Sequence, residues 1–193
     1  MELIQIIELV AATIGILYVW LELKASIWLW PVGIILPLFY MYISWKSHVY
    51  GNIFVNIYYL IACIYGWQEW LKMRKQEQKK DIITRLGKKR GYYFLMITVL
   101  LILFLGPVFR RFMESPFPYW DALATSVSLV GMWLLAKKHI ENWYCWILSN
   151  LIYSVLYFYQ GFVITGVFFT VYTGMAIYGY FNWKRMMLNQ EVI

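Results

Sequence analysis

Leu95-Met96-Ile97-Thr98-Val99-Leu100-Leu101-Ile102-Leu103-Phe104-Leu105 carries no charge, and Lys88, Lys89 and Arg90 before it and Arg110 and Arg111 after it bound the run. A helix needs about 20 predominantly apolar residues to cross a ~30 Å hydrocarbon layer, and an unpaired backbone group in lipid costs several kcal/mol. Extended toward its charged borders, roughly residues 91 to 109, the run has that length. Six further stretches read the same way, at about 4 to 23, 26 to 45, 50 to 71, 120 to 137, 143 to 160 and 162 to 183. The expected fold class is an all-α integral membrane protein with seven transmembrane helices.

Composition supports this. Of 193 residues, 62% are hydrophobic, 21% aromatic and 14% charged, against about 25% charged in a soluble domain. The net charge of +7 does not point to nucleic acid, because the charges gather at the ends of apolar stretches and form no stripe. Cys63 and Cys145 stand singly inside apolar runs, a pattern of neither a disulfide framework nor a zinc site. The opening Met1-Glu2-Leu3 lacks a basic leader, and no small-residue cleavage site follows, so the first stretch reads as a retained helix.

Orientation follows from the basic residues. The polar connection from Lys72 to Arg90 holds Lys72, Arg74, Lys75, Lys79, Lys80, Arg85, Lys88, Lys89 and Arg90, which the positive-inside rule assigns to the cytoplasm. Alternation of the remaining loops then puts Lys24, Lys137, Lys138, Lys184 and Arg185 inside as well. Only Lys46, Arg110 and Arg111 of the 17 basic residues are left outside. The amino terminus is expected outside and the carboxy terminus in the cytoplasm. The basic connection reads as a topology signal in preference to a phosphoinositide site.

The first and last three helices align without a gap at a displacement of 115 positions, which pairs Trp28 with Trp143, Leu36 with Leu151, Tyr42 with Tyr157, Gly51 with Gly166, Phe54 with Phe169 and Tyr65 with Tyr180. Both triplets start outside and end inside, so they are parallel repeats, and one extra helix must return the chain between them. The fourth, nearly featureless span fills that role. The expected organisation is a first three-helix repeat at 1–71, a basic cytoplasmic loop at 72–90, a linker helix and outer loop at 91–119, a second repeat at 120–185 and a cytoplasmic tail at 186–193.

On a helix, offsets of 0, 3, 7, 10, 14 and 17 stay on one face, so Trp143, Trp146, Asn150, Tyr153, Tyr157 and Gln160 form one aromatic and polar stripe. Amides are costly in hydrocarbon, which turns this face toward other helices or a cavity. Flat aromatic walls with one or two amides suit a planar heteroaromatic ligand, and they attract any positive charge it carries. The plainer reading makes Trp143 an interfacial anchor and Asn150 a helix-packing group. Further polar faces are Asn52, Asn56, Tyr59 and Cys63 in the third helix, and Asp121, Thr125 and Ser128 in the fifth; Tyr172, Tyr178 and Asn182 are candidates in the seventh.

All ten acidic residues fall at or near helix ends or in loops, and His48 and His139 fall in short loops. A proton-driven carrier keeps ionisable groups in mid-membrane, so a facilitator is favoured. No P-loop, H-E-x-x-H or G-x-S-x-G occurs, and no enzyme activity, metal or cofactor is expected. A membrane-assembly subunit is the competing class; it would need no continuous polar stripe.

The W-x-x-W-x-x-x-N segment at Trp143, Trp146 and Asn150, with Trp30-Pro31-Val32-Gly33 and Tyr65-Gly66-Trp67 followed by Trp70, resembles the PnuC vitamin transporters over essentially the whole chain. The resemblance implies a bacterial inner-membrane facilitator with a three-plus-one-plus-three plan related to the SWEET sugar transporters, and a homotrimer. It implies nicotinamide riboside as the typical substrate, moving downhill and trapped by a cytoplasmic vitamin kinase. Trp143, Trp146 and Asn150 would then contact substrate, with Tyr157, Tyr178, Tyr153 and Asn56 as further candidates. Riboside members carry a glutamine where this chain has Tyr157, and PnuT relatives carry thiamine, so thiamine is the alternative. The 115 displacement sets Pro31 and Ile35 opposite Trp146 and Asn150, which makes binding mainly an affair of the second repeat, and Pro31 is a possible flexing point.

Overall fold

A computed structural model describes residues 3–46, 50–76, 83–112 and 115–191. Among them are seven helices and no strand: α1 (Leu3–Leu23), α2 (Leu29–Lys46), α3 (Tyr50–Gln76), α4 (Lys88–Phe112), α5 (Pro118–Ala136), α6 (Asn142–Tyr159) and α7 (Val163–Glu191). Lys88–Phe112, Pro118–Ala136 and Val163–Gln190 are long and apolar enough to cross a membrane by length and composition alone. In α2, α3 and α6, Trp, Tyr, Asn or Pro dilute the aliphatic residues, and of α1 the stretch Thr13–Leu23 is apolar but shorter than a span.

The chain forms two compact units, 1–81 and 82–193. In the first, α2 packs on both α1 and α3; in the second, α6 packs on both α5 and α7, and α4 lies on α5. Phe94 tilts onto Trp133 at 5.1 Å, and Gly106 lies under the ring of Tyr119, while Leu95, Leu100, Leu103 and Phe104 are all exposed, as lipid-facing side chains would be.

Three helices end in the same way. At α6, Gly161 adopts φ +82, its N–H bonds Phe158 O at 3.1 Å, and the Phe162 N–H bonds Tyr157 O at 2.9 Å. These two bonds satisfy the last carbonyls around a left-handed residue. Ala25 (φ 48) ends α1 and Lys138 (φ 53) ends α5 with the same bond pair, although a left-handed L-residue costs about 1–2 kcal/mol.

These matching ends fix a correspondence between the units at 113 positions, two short of the sequence alignment. Ala25 answers to Lys138. Lys24 lies over Trp20, and Lys137 over Trp133. Trp30 meets Trp70 edge-on at 5.4 Å, and Trp143 meets Trp183 edge-on at 5.6 Å. Both of these indoles cover a glycine: a Cβ at Gly66 would lie 2.2 Å from the Trp30 ring, and one at Gly179 would lie 2.4 Å from the Trp143 ring. In this register Gly33 and Pro37, not Pro31 and Ile35, stand where the second unit has Trp146 and Asn150. Pro31 falls in the first turn of α2, where a missing N–H costs nothing, and the proline inside that helix is Pro37.

The basic connection is shorter than its composition indicates. Lys72, Arg74 and Lys75 belong to the end of α3, and Lys88, Lys89 and Arg90 open α4; Lys79 and Lys80 lie outside the described residues, as does His48. Between the helices, Ile83–Leu86 forms a strap across the α5–α6 turn. The Thr84 N–H bonds Lys138 O, and the Ile140 N–H bonds Thr84 O, both at 3.0 Å. The Leu86 N–H reaches Glu141 at 2.9 Å, the Ile83 N–H reaches Gln190 at 3.0 Å, and the Thr84 hydroxyl shares a 2.8 Å hydrogen bond with His139 Nδ1.

Candidate functional site

The α6 stripe does not present one uniform face. Trp143 is 1% exposed, held against Gly179 and Trp183. Trp30, its counterpart in the first unit, is equally buried in the same setting. The site of Trp143 is that of a packing residue, joining α6 to α7.

Trp146 and Asn150 follow one and two turns later, and both are half-buried. Trp146 lies beside α5, where its Cδ2 would be 3.8 Å from a Cβ on Gly131. Behind the stripe, Ser149 is fully buried, and its hydroxyl donates to Trp146 O at 3.4 Å. The wall continues outward through rings. Tyr153 shares a 2.9 Å hydrogen bond with the Thr125 hydroxyl, which fixes its phenol. Its ring lies 5.2 Å from Phe169 of α7, and Tyr157 stacks on that same Phe169 at 5.3 Å with planes 16° apart. Tyr172 meets Phe169 edge-on at 6.2 Å.

Other expected positions fall elsewhere. Tyr178 is 62% exposed on α7 and does not join the stripe. Asn56 is half-buried on α3 in the first unit, on the helix face of Tyr59 and the buried Cys63; the side chain of Asn52 lies outside the described residues. On α5, Asp121 accepts a hydrogen bond from Ser115, and Ser128 donates to Ala124 O of its own helix at 2.9 Å. Of that face, Thr125 supports the ring wall.

Sequence reasoning did not count among the site residues Phe169, which joins two tyrosines of α6 to α7, or the Ser154–Thr170 pair, whose hydroxyls share a 2.7 Å hydrogen bond and both lie within hydrogen-bond reach of Gly166 O. It also passed over Gly131, Gly179 and Trp183. For the last two a signal was present, because Gly66-Trp67-Gln68-Glu69-Trp70 and Gly179-Tyr180-Phe181-Asn182-Trp183 share glycine and tryptophan at the same spacing.

At the turn before α6, burial, then Arg90 and Lys137, hold His139 below its ordinary value. The imidazole therefore meets Thr84 in its neutral form near pH 7.

The model of the family described as nicotinamide mononucleotide transporter matches residues 5–185. The chain is 25% identical to the nicotinamide riboside transporter PnuC of Escherichia coli (strain K12), over 95% of this chain and 85% of that protein. It is 22% identical to the riboflavin/roseoflavin transporter RibM of Streptomyces davaonensis, over 91% of this chain and 83% of that protein. A crystal structure of the vitamin B3 transporter PnuC superposes with a TM-score of 0.72 at 22% identity, covering 94% of this chain and 81% of that one. With its apolar helices and a match running over nearly its whole length, this chain belongs to the nicotinamide mononucleotide transporter family of vitamin transporters, the PnuC family, and is a multi-pass membrane protein.

Proposed function

We propose that the chain is a bacterial inner-membrane facilitator for nicotinamide riboside, and that Trp146 and Asn150, with the ring wall of Tyr153 and Tyr157, receive the vitamin. The observation that carries this reading is the α6 face itself: a half-buried indole and a half-buried amide one turn apart, continued by a stacked Tyr157–Phe169 pair. A planar cationic pyridinium gains from stacking and from the negative faces of these rings, and the amide orients it. Trp143 supports the site from its packed position, and Asn56 and Tyr178 remain further candidates for contact with the vitamin.

Transport is downhill, the vitamin is retained by a cytoplasmic kinase that phosphorylates it, and the protein itself catalyses no reaction. The basic residues support an outer amino terminus and a cytoplasmic carboxy terminus. The recurrence at 113 positions supports a three-plus-one-plus-three plan of the SWEET kind, with α4 as the linker, and the assembly is a homotrimer. Tyr157, standing where riboside carriers have glutamine, keeps thiamine as the second reading.

Purified protein in liposomes, offered labelled nicotinamide riboside, thiamine and riboflavin separately, tests this. Expected are saturable uptake of the riboside that stops at equal concentrations, no response to a proton gradient, and loss of uptake in Asn150→Leu at an unchanged level of folded protein. Uptake of thiamine or riboflavin alone would replace the substrate. Accumulation beyond equality in a proton gradient would end the facilitator reading. Undiminished uptake by Asn150→Leu would remove the site.

A further inference from the structure

The crossing of α5 over α6 is close because position 131 has no side chain. A Cβ there would lie 2.8 Å from Cys145 Cβ and 3.8 Å from Trp146 Cδ2. The first contact is shorter than real Cβ atoms allow, and neither partner is the movable end of a long side chain, so the helices themselves would have to part.

The corresponding crossing in the first unit has the opposite arrangement. Residue 18, the counterpart of 131, is Tyr18, and residue 33, the counterpart of 146, is Gly33. A Cβ on Gly33 would lie 2.7 Å from the Tyr18 ring and 3.1 Å from Cys63 Sγ. In each crossing a bare position lies beside an aromatic ring, in hard contact at Gly33 and in ordinary van der Waals contact at Gly131, where the hard contact is Cys145 Cβ; the helix that carries the ring differs between the two units. Packing alone is met by either arrangement. Only the arrangement in the second unit puts the ring on the helix that also carries Asn150.

We propose that Gly131 is a positioning residue for substrate, whose missing side chain lets α6 approach α5 so that the Trp146 ring and the Asn150 amide are held together at the depth against α5 that the ligand requires. This rests on the reading of Trp146 and Asn150 as the binding face. Any side chain at 131 pushes α6 off α5 through Cys145 and carries the Trp146 ring and the Asn150 amide together away from α5, which weakens the hold on substrate before the fold is lost.

The test is uptake kinetics and tryptophan-quenching titration with nicotinamide riboside, both normalised to folded protein. Gly131→Ala is expected to raise KM and Kd about tenfold with the maximal rate little changed. Gly131→Ala with Cys145→Gly, which removes the atom at 2.8 Å, is expected to recover most of the affinity, whereas Gly131→Ala with Cys145→Ala, which keeps that Cβ, is not. If Gly131→Ala fails to fold, the Cys145→Gly double variant is compared with Cys145→Gly alone, and their affinities should agree. Wild-type KM in Gly131→Ala, or equal affinity in the two double variants, overturns the proposal while Trp146→Ala and Asn150→Leu still abolish uptake. Unchanged uptake in those last two overturns the underlying site.

Discussion

The ring of Trp143 lies on the bare backbone of Gly179, where a Cβ would stand 2.4 Å from it. Gly179→Ala should therefore destabilise the protein by about 1–3 kcal/mol, the usual cost of forcing a methyl into a packed core. Gly66→Ala should do the same beneath Trp30. Gly174→Ala is the control: nothing lies within 4 Å of the added atom, and Ala should stabilise that helix by roughly 0.5–1 kcal/mol. Melting temperatures in detergent measure all three, and a stable Gly179→Ala would refute this packing.

Trp143 and Trp146 should separate cleanly in mutagenesis. Trp143→Ala empties a fully buried site and should cost about 3–5 kcal/mol, lowering the yield of folded protein. Trp146→Ala, from a half-buried position, should leave folding nearly intact and abolish saturable uptake. Size-exclusion profiles beside uptake per folded molecule make the distinction, and a folded, inactive Trp143→Ala would reverse the two roles.

Tyr153→Phe removes the phenol that shares a 2.9 Å hydrogen bond with Thr125. The loss should be about 1 kcal/mol, and Thr125→Val in the same background should add little, because the two act as one pair. A double-mutant cycle on unfolding free energy shows whether the effects overlap or add.

Acid should loosen the strap at the α5–α6 turn. His139 is held below its ordinary value by burial and by Arg90 and Lys137, so as pH falls the unfolded chain takes up the proton first. The stabilisation is fully present above about pH 6.5 and declines below it until the folded protein is protonated too, by at most about 1.4 kcal/mol per pH unit. Melting temperature between pH 7.5 and 5.5 should fall more in the wild type than in His139→Gln. Equal falls would show that His139 does not govern the response.

Much of the architecture was legible because the bilayer permits few solutions: apolar length gave the helices, and α-helical periodicity gave the α6 stripe. A recurrence between the two halves of the chain was visible, but the spacing at which its tryptophans and glycines coincide was not. At 115 positions the comparison matched aromatics that any membrane segment supplies, whereas the physical anchors at 113 are Trp30 with Trp143, Gly66 with Gly179 and Trp70 with Trp183. Identity of letters does not show which glycine lies beneath which ring. Periodicity likewise placed Trp143, Trp146 and Asn150 on one face, but could not tell that Gly179 and Trp183 enclose the first and leave the others accessible. Phe169 was not counted among the site residues because an apolar residue carries no sign of function until its neighbours are known.

The strap has a consequence for the order in which the protein is made. Synthesis runs from the amino end, so Thr84 emerges 55 residues before its partner His139, and Ile83 emerges 107 residues before its partner Gln190. Until those later residues leave the ribosome, the N–H groups of Ile83, Thr84 and Leu86 have only water to bond. The bonds of Thr84 and Leu86 to the 138–141 turn can thus form once that turn has emerged, whereas the Ile83 bond to Gln190 waits for α7.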